Sequence, residues 1–102
     1  MFLVQLLLPL YDNAGQRVPR ERFAQLRDEL TQKYGGVTAF FRSPGQGTWK
    51  EESGNVDEDE IVMCEVMVET IDRNWWADYR RTLEQRFGQR ELIARFSPIE
   101  RL

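Results

Sequence analysis

The 102-residue sequence contains no histidine and only one cysteine, Cys64. Without histidine the chain lacks the commonest general base, the commonest metal ligand and the base of every Ser-His or Cys-His nucleophile pair. A single cysteine excludes an internal disulfide framework and suits a reducing compartment. We therefore assign no catalytic residue from the sequence, and we expect neither a cofactor nor a metal ion.

The chain also lacks an apolar run long enough to cross a bilayer. Its most apolar segment, residues 2–10, is far shorter than the roughly 20 residues that a membrane-spanning helix needs. No positive residue precedes that segment and no small-residue cleavage site follows it closely, so it does not fit a signal peptide. We expect a cytoplasmic protein with no membrane partner.

The chain has no net positive charge, since 17 acids and 14 bases give −3 at pH 7. Residues 50–69 hold eight acids and one base, whereas the segments on either side each carry a net charge of +2. This balance argues against binding a phosphate backbone, so we expect no nucleic acid partner. The acidic segment has two interpretations, a solvated loop or a contact with the arginine-rich body of a second copy, and the loop is preferred.

Hydrophobic periodicity predicts four β-strands. Residues 3–10 form the first strand and have apolar side chains on both faces. Residues 61–69 form the third and clearest strand, which is also apolar on both faces apart from Glu65. Residues 37–42 and 92–97 supply two shorter strands, so the two strands suited to the centre of a sheet are the first and the third.

Two amphipathic helices separate these strands. The first starts at Pro19, which suits the first helical position, and ends at Gly35 and Gly36. The second starts at Asp72, whose carboxylate can accept a free backbone N–H, and stops at Gly88. Apolar residues three and four apart mark the buried stripes: Phe23, Leu26, Leu30 and Tyr34, then Trp76, Tyr79, Leu83 and Phe87.

The order strand-helix-strand-strand-helix-strand predicts a single α+β domain over residues 1–102. It resembles the ferredoxin-like β-α-β-β-α-β plait, a four-stranded antiparallel sheet with two helices on one face. In that arrangement the first and third strands are central, which agrees with their apolar faces. We therefore predict the ferredoxin-like fold class.

In this fold the helices cover one face of the sheet, and the other face needs a different cover. If the even positions of the third strand point at the helices, alternation assigns the odd ones to the opposite face. That face is then expected to hold Leu3, Gln5, Leu7, Ile61, Met63, Glu65, Met67, Ile93 and Arg95, with either Phe40 and Arg42 or Phe41. Because soluble monomers seldom expose so large an apolar patch, we expect a homodimer formed through this face.

The pattern resembles the dimeric α+β-barrel proteins, in which two ferredoxin-like sheets form a shared barrel with a cavity between them. The segments 34–40 (YGGVTAF), 59–62 (DEIV) and 75–80 (WWADYR) are also similar to segments of small uncharacterised bacterial proteins. The resemblance implies a bacterial homo-oligomer and supplies no activity. Cofactor-independent oxygenases and isomerases of the same architecture have pockets on the corresponding face, but their catalytic histidines have no counterpart here.

The candidate ligand-binding residues are Gln5, Glu65 and Arg95, with Arg42 as a fourth member and Trp49 as a lid. One interpretation is the floor of a cavity for a small molecule, with Glu65 as base or anion partner. The other is an ion pair between Glu65 and an arginine, within one chain or across a dimer, and it is preferred. A carboxylate among apolar groups must be paired or become neutral in either case.

Two functions follow from these interpretations. The first is a non-catalytic homo-oligomeric domain, an interaction or accessory protein whose open face is buried by self-association. The alternative is a small-molecule-binding protein or cofactor-free enzyme with a cavity on that face. Trp76 lies on the buried stripe, whereas Trp75 is expected at its margin, either near Tyr79 or against a partner, and Cys64 is expected to face the helices.

Overall fold

The computed structural model describes residues 1–35, the backbone of residues 39–43, and residues 61–102. The elements in chain order are β1 (Phe2–Pro9), α1 (Arg20–Tyr34), β2 (Ala39–Ser43), β3 (Ile61–Val68), α2 (Arg73–Arg86) and β4 (Ile93–Pro98). The strands pair antiparallel throughout. The predicted α+β class with an antiparallel sheet is therefore confirmed.

The strands whose side chains are described form a sheet in the order β3-β1-β4, so β1 lies between two partners. β1 pairs with β3 over its full eight residues, from Phe2 opposite Val68 to Pro9 opposite Ile61. On its other side β1 pairs with the six residues of β4. The backbone of β2 runs antiparallel along the outer side of β3.

The hydrophobic core lies between the sheet and the two helices. The alternate residues of β1 and β3 that face it are buried, apart from the half-buried Phe2 at the end of β1: Val4, Leu6, Leu8, Val62, Cys64, Val66 and Val68. The helices contribute Leu26, Leu30, Trp76, Tyr79 and Leu83, and Phe87 follows directly after α2. Each large side chain removed from water here contributes about 1.5–3 kcal/mol. The predicted facing of the third strand and of Cys64 is confirmed, and α1 lies over β3 while α2 lies over β4.

The ends of the helices follow from their capping residues. Pro19 is the N-cap of α1 rather than its first residue, because its backbone is extended while its carbonyl already accepts the N–H of Arg22. Gly35 closes the same helix with φ 77° and donates its N–H to the Thr31 carbonyl at 2.8 Å. Asp72 caps α2 as expected, since its carboxylate accepts the Trp75 N–H at 3.1 Å.

The loop after β1 is held against the loop after α2. Asp12 Oδ1 accepts the backbone N–H of Gln16 at 2.8 Å, which closes the first loop on itself. Asn13 joins the two loops: its N–H donates to the Gly88 carbonyl at 2.9 Å, and its Oδ1 accepts the Arg90 N–H at 2.6 Å. Gly88 has φ 61°, and a Cβ there would lie 2.7 Å from the Asp12 Cβ.

Gly88→Ala is expected to destabilise the protein more than Gly15→Ala does. Both glycines have positive φ, but a Cβ on Gly15 would meet nothing within 4 Å. We expect backbone strain to lower the free energy of unfolding by about 1 kcal/mol in each variant. The clash with Asp12 is expected to lower it by about 1–3 kcal/mol more in Gly88→Ala. Urea unfolding of the two variants measures the difference; equal losses would contradict the close approach of the loops.

Candidate functional site

The face of the sheet opposite the helices, called the open face below, has three rows that cross β4, β1 and β3, and Pro9 paired with Ile61 extends it at one end. The rows are Ile93, Leu7 and Met63; then Arg95, Gln5 and Glu65; then Ser97, Leu3 and Met67. The predicted members of this face from the first, third and fourth strands therefore lie where alternation placed them. The middle row, called the polar row below, is flanked on both sides by apolar side chains.

The polar row is a continuous chain of hydrogen bonds. Arg95 donates from Nε to Gln5 Oε1 at 2.9 Å. Gln5 in turn donates from Nε2 to Glu65 Oε2 at 3.1 Å, and the same nitrogen lies 3.5 Å from Met63 Sδ. The orientation of the amide is set by its neighbours, because a reversed amide would oppose its NH₂ to the arginine and its oxygen to the carboxylate.

The polar row brings three of the predicted site residues together with a glutamine between the two charges. Arg95 is exposed, whereas Gln5 and Glu65 are half-buried between the apolar rows. The bridging role of Gln5 was not expected from the sequence. Its position in the centre of the sheet lets one neutral side chain contact a cation on β4 and an anion on β3.

The register does not bring Arg42 to Glu65. β2 pairs Arg42 with Val62, a core position, and it is Ala39 that pairs with Glu65. Alternation thus assigns position 42 to the helix-bearing side and position 41, opposite Met63, to the open face. The residue expected as a lid, Trp49, lies outside the described residues, as does the acidic segment at 50–60.

A hollow of about 220 Å³ lies at one end of the open face. Leu7, Ile61 and Ile93 contribute to its lining from the sheet, and Tyr11 and Gln89 from the loops. Gln89 is fixed there because it donates to the Tyr11 carbonyl at 2.9 Å. The hollow is open to solvent and mostly apolar, so any small molecule it accepts would need further cover.

A second polar cluster, absent from the sequence-based expectations, joins the two helices. Glu29 of α1 accepts two hydrogen bonds from the Arg86 guanidinium of α2, and a third from the Tyr79 hydroxyl at 3.1 Å. The Arg86 hydrogen bonds lower the pKa of Glu29, and burial followed by the nearby Glu29 charge raises the pKa of Tyr79. The cluster ties the helices together across 57 residues of sequence.

Aromatic rings fill the junction between the end of α1 and the start of α2. Tyr34 stacks on Trp76 with ring centroids 5.6 Å apart, and Trp75 stacks on Tyr79 at 4.9 Å, the first of the two places expected for Trp75. The Lys33 ammonium lies 4.4 Å from the centre of the Trp75 ring. Because a cation of the same chain already occupies that ring face, the rings serve packing.

Within residues 1–35, 39–43 and 61–102, no group of three or more His, Cys, Asp or Glu side chains could hold a metal ion. None of the described helices is both long and apolar enough to cross a membrane. No family model, curated protein or solved structure matches the chain. Function is therefore inferred from the geometry of the surfaces themselves.

Glu29→Gln is expected to lower the free energy of unfolding at pH 7 and to lower it by a smaller amount in acid. Since Arg86 lowers the folded-state pKa of Glu29, the unfolded chain takes up the proton first as the pH falls. The contribution of this carboxylate is therefore complete above its ordinary pKa of 4.5 and is lost as the pH falls through the lower folded value. Because the Glu29 side chain is 38% exposed, we expect its carboxylate to contribute less than about 1 kcal/mol to the free energy of unfolding.

Urea unfolding of wild type and Glu29→Gln at pH 7 and at about pH 3 measures this contribution. Glu100→Gln, which removes an exposed carboxylate beyond β4, is the matched control. A stability difference between wild type and Glu29→Gln that is the same at both pH values would contradict the pairing with Arg86.

The thiol of Cys64 is expected to be unreactive in the folded protein. Cys64 is fully buried, and burial raises the pKa of its thiol to about 12. The thiolate, which is the reactive form, is therefore almost absent at pH 8. We expect Ellman's reagent to label the protein only in urea. Rapid labelling of the native protein at pH 8 would show that the contact between β3 and the helices opens readily.

Proposed function

We propose that this chain is a ferredoxin-like plait with a four-stranded sheet, and that it forms a homodimer through its open face. In this proposal it acts as a non-catalytic interaction or accessory domain. The observation that supports the proposal is the open face itself, in which two apolar rows flank a self-complementary polar row. The dimer depends on the register of β1 with its two neighbours.

The apolar rows supply the driving force for association. Ile93 is 55% exposed and Met67 is 36% exposed, and Leu3, Leu7 and Met63 beside them are half-buried. Within each row the apolar side chains adjoin one another across neighbouring strands, and the polar row separates the two rows. Removing such surface from water is favourable by about 25 cal/mol per Å² of apolar area.

The order of charges in the polar row selects one way of pairing two copies. Across the sheet the row runs from the anion Glu65 through neutral Gln5 to the cation Arg95. A two-fold axis parallel to β1 and above Gln5 reverses this order in the facing sheet. Each Arg95 then lies opposite Glu65 of the partner subunit. An axis perpendicular to the strands would instead oppose like charges, which is unfavourable.

The same axis matches the row of Ile93, Leu7 and Met63 with itself. Leu7 lies opposite its own counterpart, and Ile93 lies opposite Met63 of the partner subunit. Facing sheets pack about 10 Å apart, a distance that paired isoleucine, leucine and methionine side chains fill. Arg95 and Glu65 are long enough to meet across that gap while Gln5 remains hydrogen-bonded to both within its own chain.

A second candidate function is a small-molecule-binding protein or cofactor-free enzyme with its cavity between two such sheets. The observation that favours it is the hollow of about 220 Å³ at the end of the open face. A facing sheet would close the hollow, and Leu7 and Ile93 would line it. Native mass spectrometry distinguishes the two functions, because only a binding protein would retain a small molecule in the purified dimer.

The location of the protein stays a prediction. Cys64 is a free, buried thiol, which suits a reducing compartment, so we place the protein in the cytoplasm. The similarity to small bacterial proteins depends on short sequence segments alone, so a bacterial source also stays a prediction.

Glu65→Arg and Arg95→Glu are each expected to weaken the dimer at least tenfold, because each opposes like charges across the two-fold axis. An equimolar mixture of the two variants is expected to associate again, since every arginine then faces a glutamate. Sedimentation equilibrium at micromolar concentration checks both statements against a dimer mass of twice 12.1 kDa. Arg22→Glu, at an exposed position of α1, is the control for a change of net charge.

Leu7→Glu tests the apolar contribution at the centre of the face and is expected to give a monomer that remains folded by circular dichroism. A monomeric wild type, or a Leu7→Glu variant that still forms a dimer, would overturn the open face as the interface.

A further inference from the structure

A groove of about 370 Å³ runs between α2 and the outer edge of β4. Its residues come from α2 and the segment just before it, and from β4 and the loop leading into it: Ile71, Arg73, Trp76, Ala77, Arg80, Glu91, Leu92, Ile93, Ala94 and Phe96. Ala94 and Phe96 pair with Leu6 and Val4, so they share the helix-bearing side of the sheet. The groove is thus separate from the polar row.

The backbone of β4 leaves specific hydrogen-bonding groups at the edge of the groove. Ile99 donates to the Met1 carbonyl at 3.0 Å, which fixes the alternation of the ladder between β1 and β4. Residues 93, 95 and 97 accordingly bond to β1, and the N–H and C=O groups of Ala94 and Phe96 point outward. Pro98, which has no N–H, ends the outward row. In the described part of the chain, β4 is the last strand on this side.

The facing side of α2 carries a cation at each end of an apolar centre. Arg73, Trp76, Ala77 and Arg80 are spaced three and four residues apart and therefore lie on one side of the helix. The Arg73 guanidinium lies 5.3 Å from the centre of the Phe96 ring, which places it at one end of the groove. Among the described residues, neither Arg73 nor Arg80 forms a salt bridge.

We propose that this groove binds an extended acidic peptide segment of a partner protein, which adds to β4 as an antiparallel strand. In that pairing the peptide residues opposite Ala94 and Phe96 exchange backbone hydrogen bonds with them and also turn their side chains into the groove. An acidic-x-apolar-x-acidic segment then sets its apolar side chain on Trp76 and Ala77, with a carboxylate toward each arginine.

The dimensions of the groove agree with this spacing. Arg73 and Arg80 are seven residues apart on a helix, or about 10 Å. Two acidic residues four apart on a strand are separated by about 13 Å, and arginine side chains easily span the difference. Bidentate hydrogen bonding to carboxylates is the geometry that a guanidinium favours.

Charge also decides between a peptide and a second copy of the chain. Two β4 edges paired with each other would bring the Arg73 and Arg80 stripes of both copies together, and like charges would oppose the contact. An acidic segment neutralises the same stripe. A free small anion would meet the arginines but would leave the apolar centre and the outward backbone groups of β4 unused.

The test uses a fluorescein-labelled peptide of sequence TETLTET and measures its anisotropy with the whole protein. We expect saturable binding, at least tenfold weaker binding of TQTLTQT, and a comparable loss for the double variant Arg73→Glu/Arg80→Glu. Arg22→Glu, which reverses an exposed charge on α1, is expected to bind as wild type does. Amide hydrogen exchange is expected to slow at Ala94 and Phe96 when the peptide is present.

N-methylated peptides separate strand addition from simple charge attraction. A methyl on the leucine nitrogen removes a donor that faces β4 and is expected to weaken binding at least tenfold. A methyl on the next threonine nitrogen, which faces away, is the matched control. Equal binding of the two, or no binding up to about 1 mM, would overturn the proposal. If citrate displaced the peptide fully at the same concentration as the peptide, the groove would be a small-anion site. If the peptide dissociated a dimer, this edge would pair two copies of the chain. Either outcome overturns the proposal.

Discussion

The register between β1 and β3 decides which side chains the molecule buries and which it presents. Both strands are apolar on both faces, so hydrophobic alternation alone discriminates weakly between the correct pairing and one shifted by a residue. Gln5 and Glu65 break this ambiguity. A shift of either strand by one residue would turn the Gln5 amide or the Glu65 carboxylate into the hydrophobic core beneath the helices, where each unsatisfied polar group costs several kcal/mol. The polar row thus specifies the core on the opposite face.

Most of the fold could be predicted because its signals are local. The alternation in the first and third strands, the glycine that ends α1 and the carboxylate of Asp72 each act within a few residues, and each is found in the structure. The face of Arg42 could not be predicted in the same way. The second strand has apolar and polar residues that fit either phase, so its phase is fixed only by pairing with β3.

The missed parts of the polar structure depend on how distant elements are rotated against each other. Glu29 and Arg86 meet only because α1 and α2 present particular sides to one another, and no spacing along the chain encodes that rotation. Gln5 was expected in the cluster, but its bridging role needs the positions of Glu65 and Arg95 on both sides of β1. Sequence patterns identify the strand and the face, whereas the partner of each hydrogen bond needs the register.

The two proposed surfaces share β4 and use it in complementary ways. Its odd residues, including Arg95, bond to β1 and lie on the open face, while Ala94 and Phe96 lie on the groove side and direct their backbone groups outward. Ile93 borders both surfaces, whereas the polar row and the outward backbone groups of β4 are separate, so a peptide on the outer edge leaves the polar row uncovered. In the proposed dimer the two sheets are internal, and the two grooves lie on its outer sides. One dimer would then present two equivalent peptide sites, so a partner carrying two acidic segments would bind through both and gain avidity without any new contact.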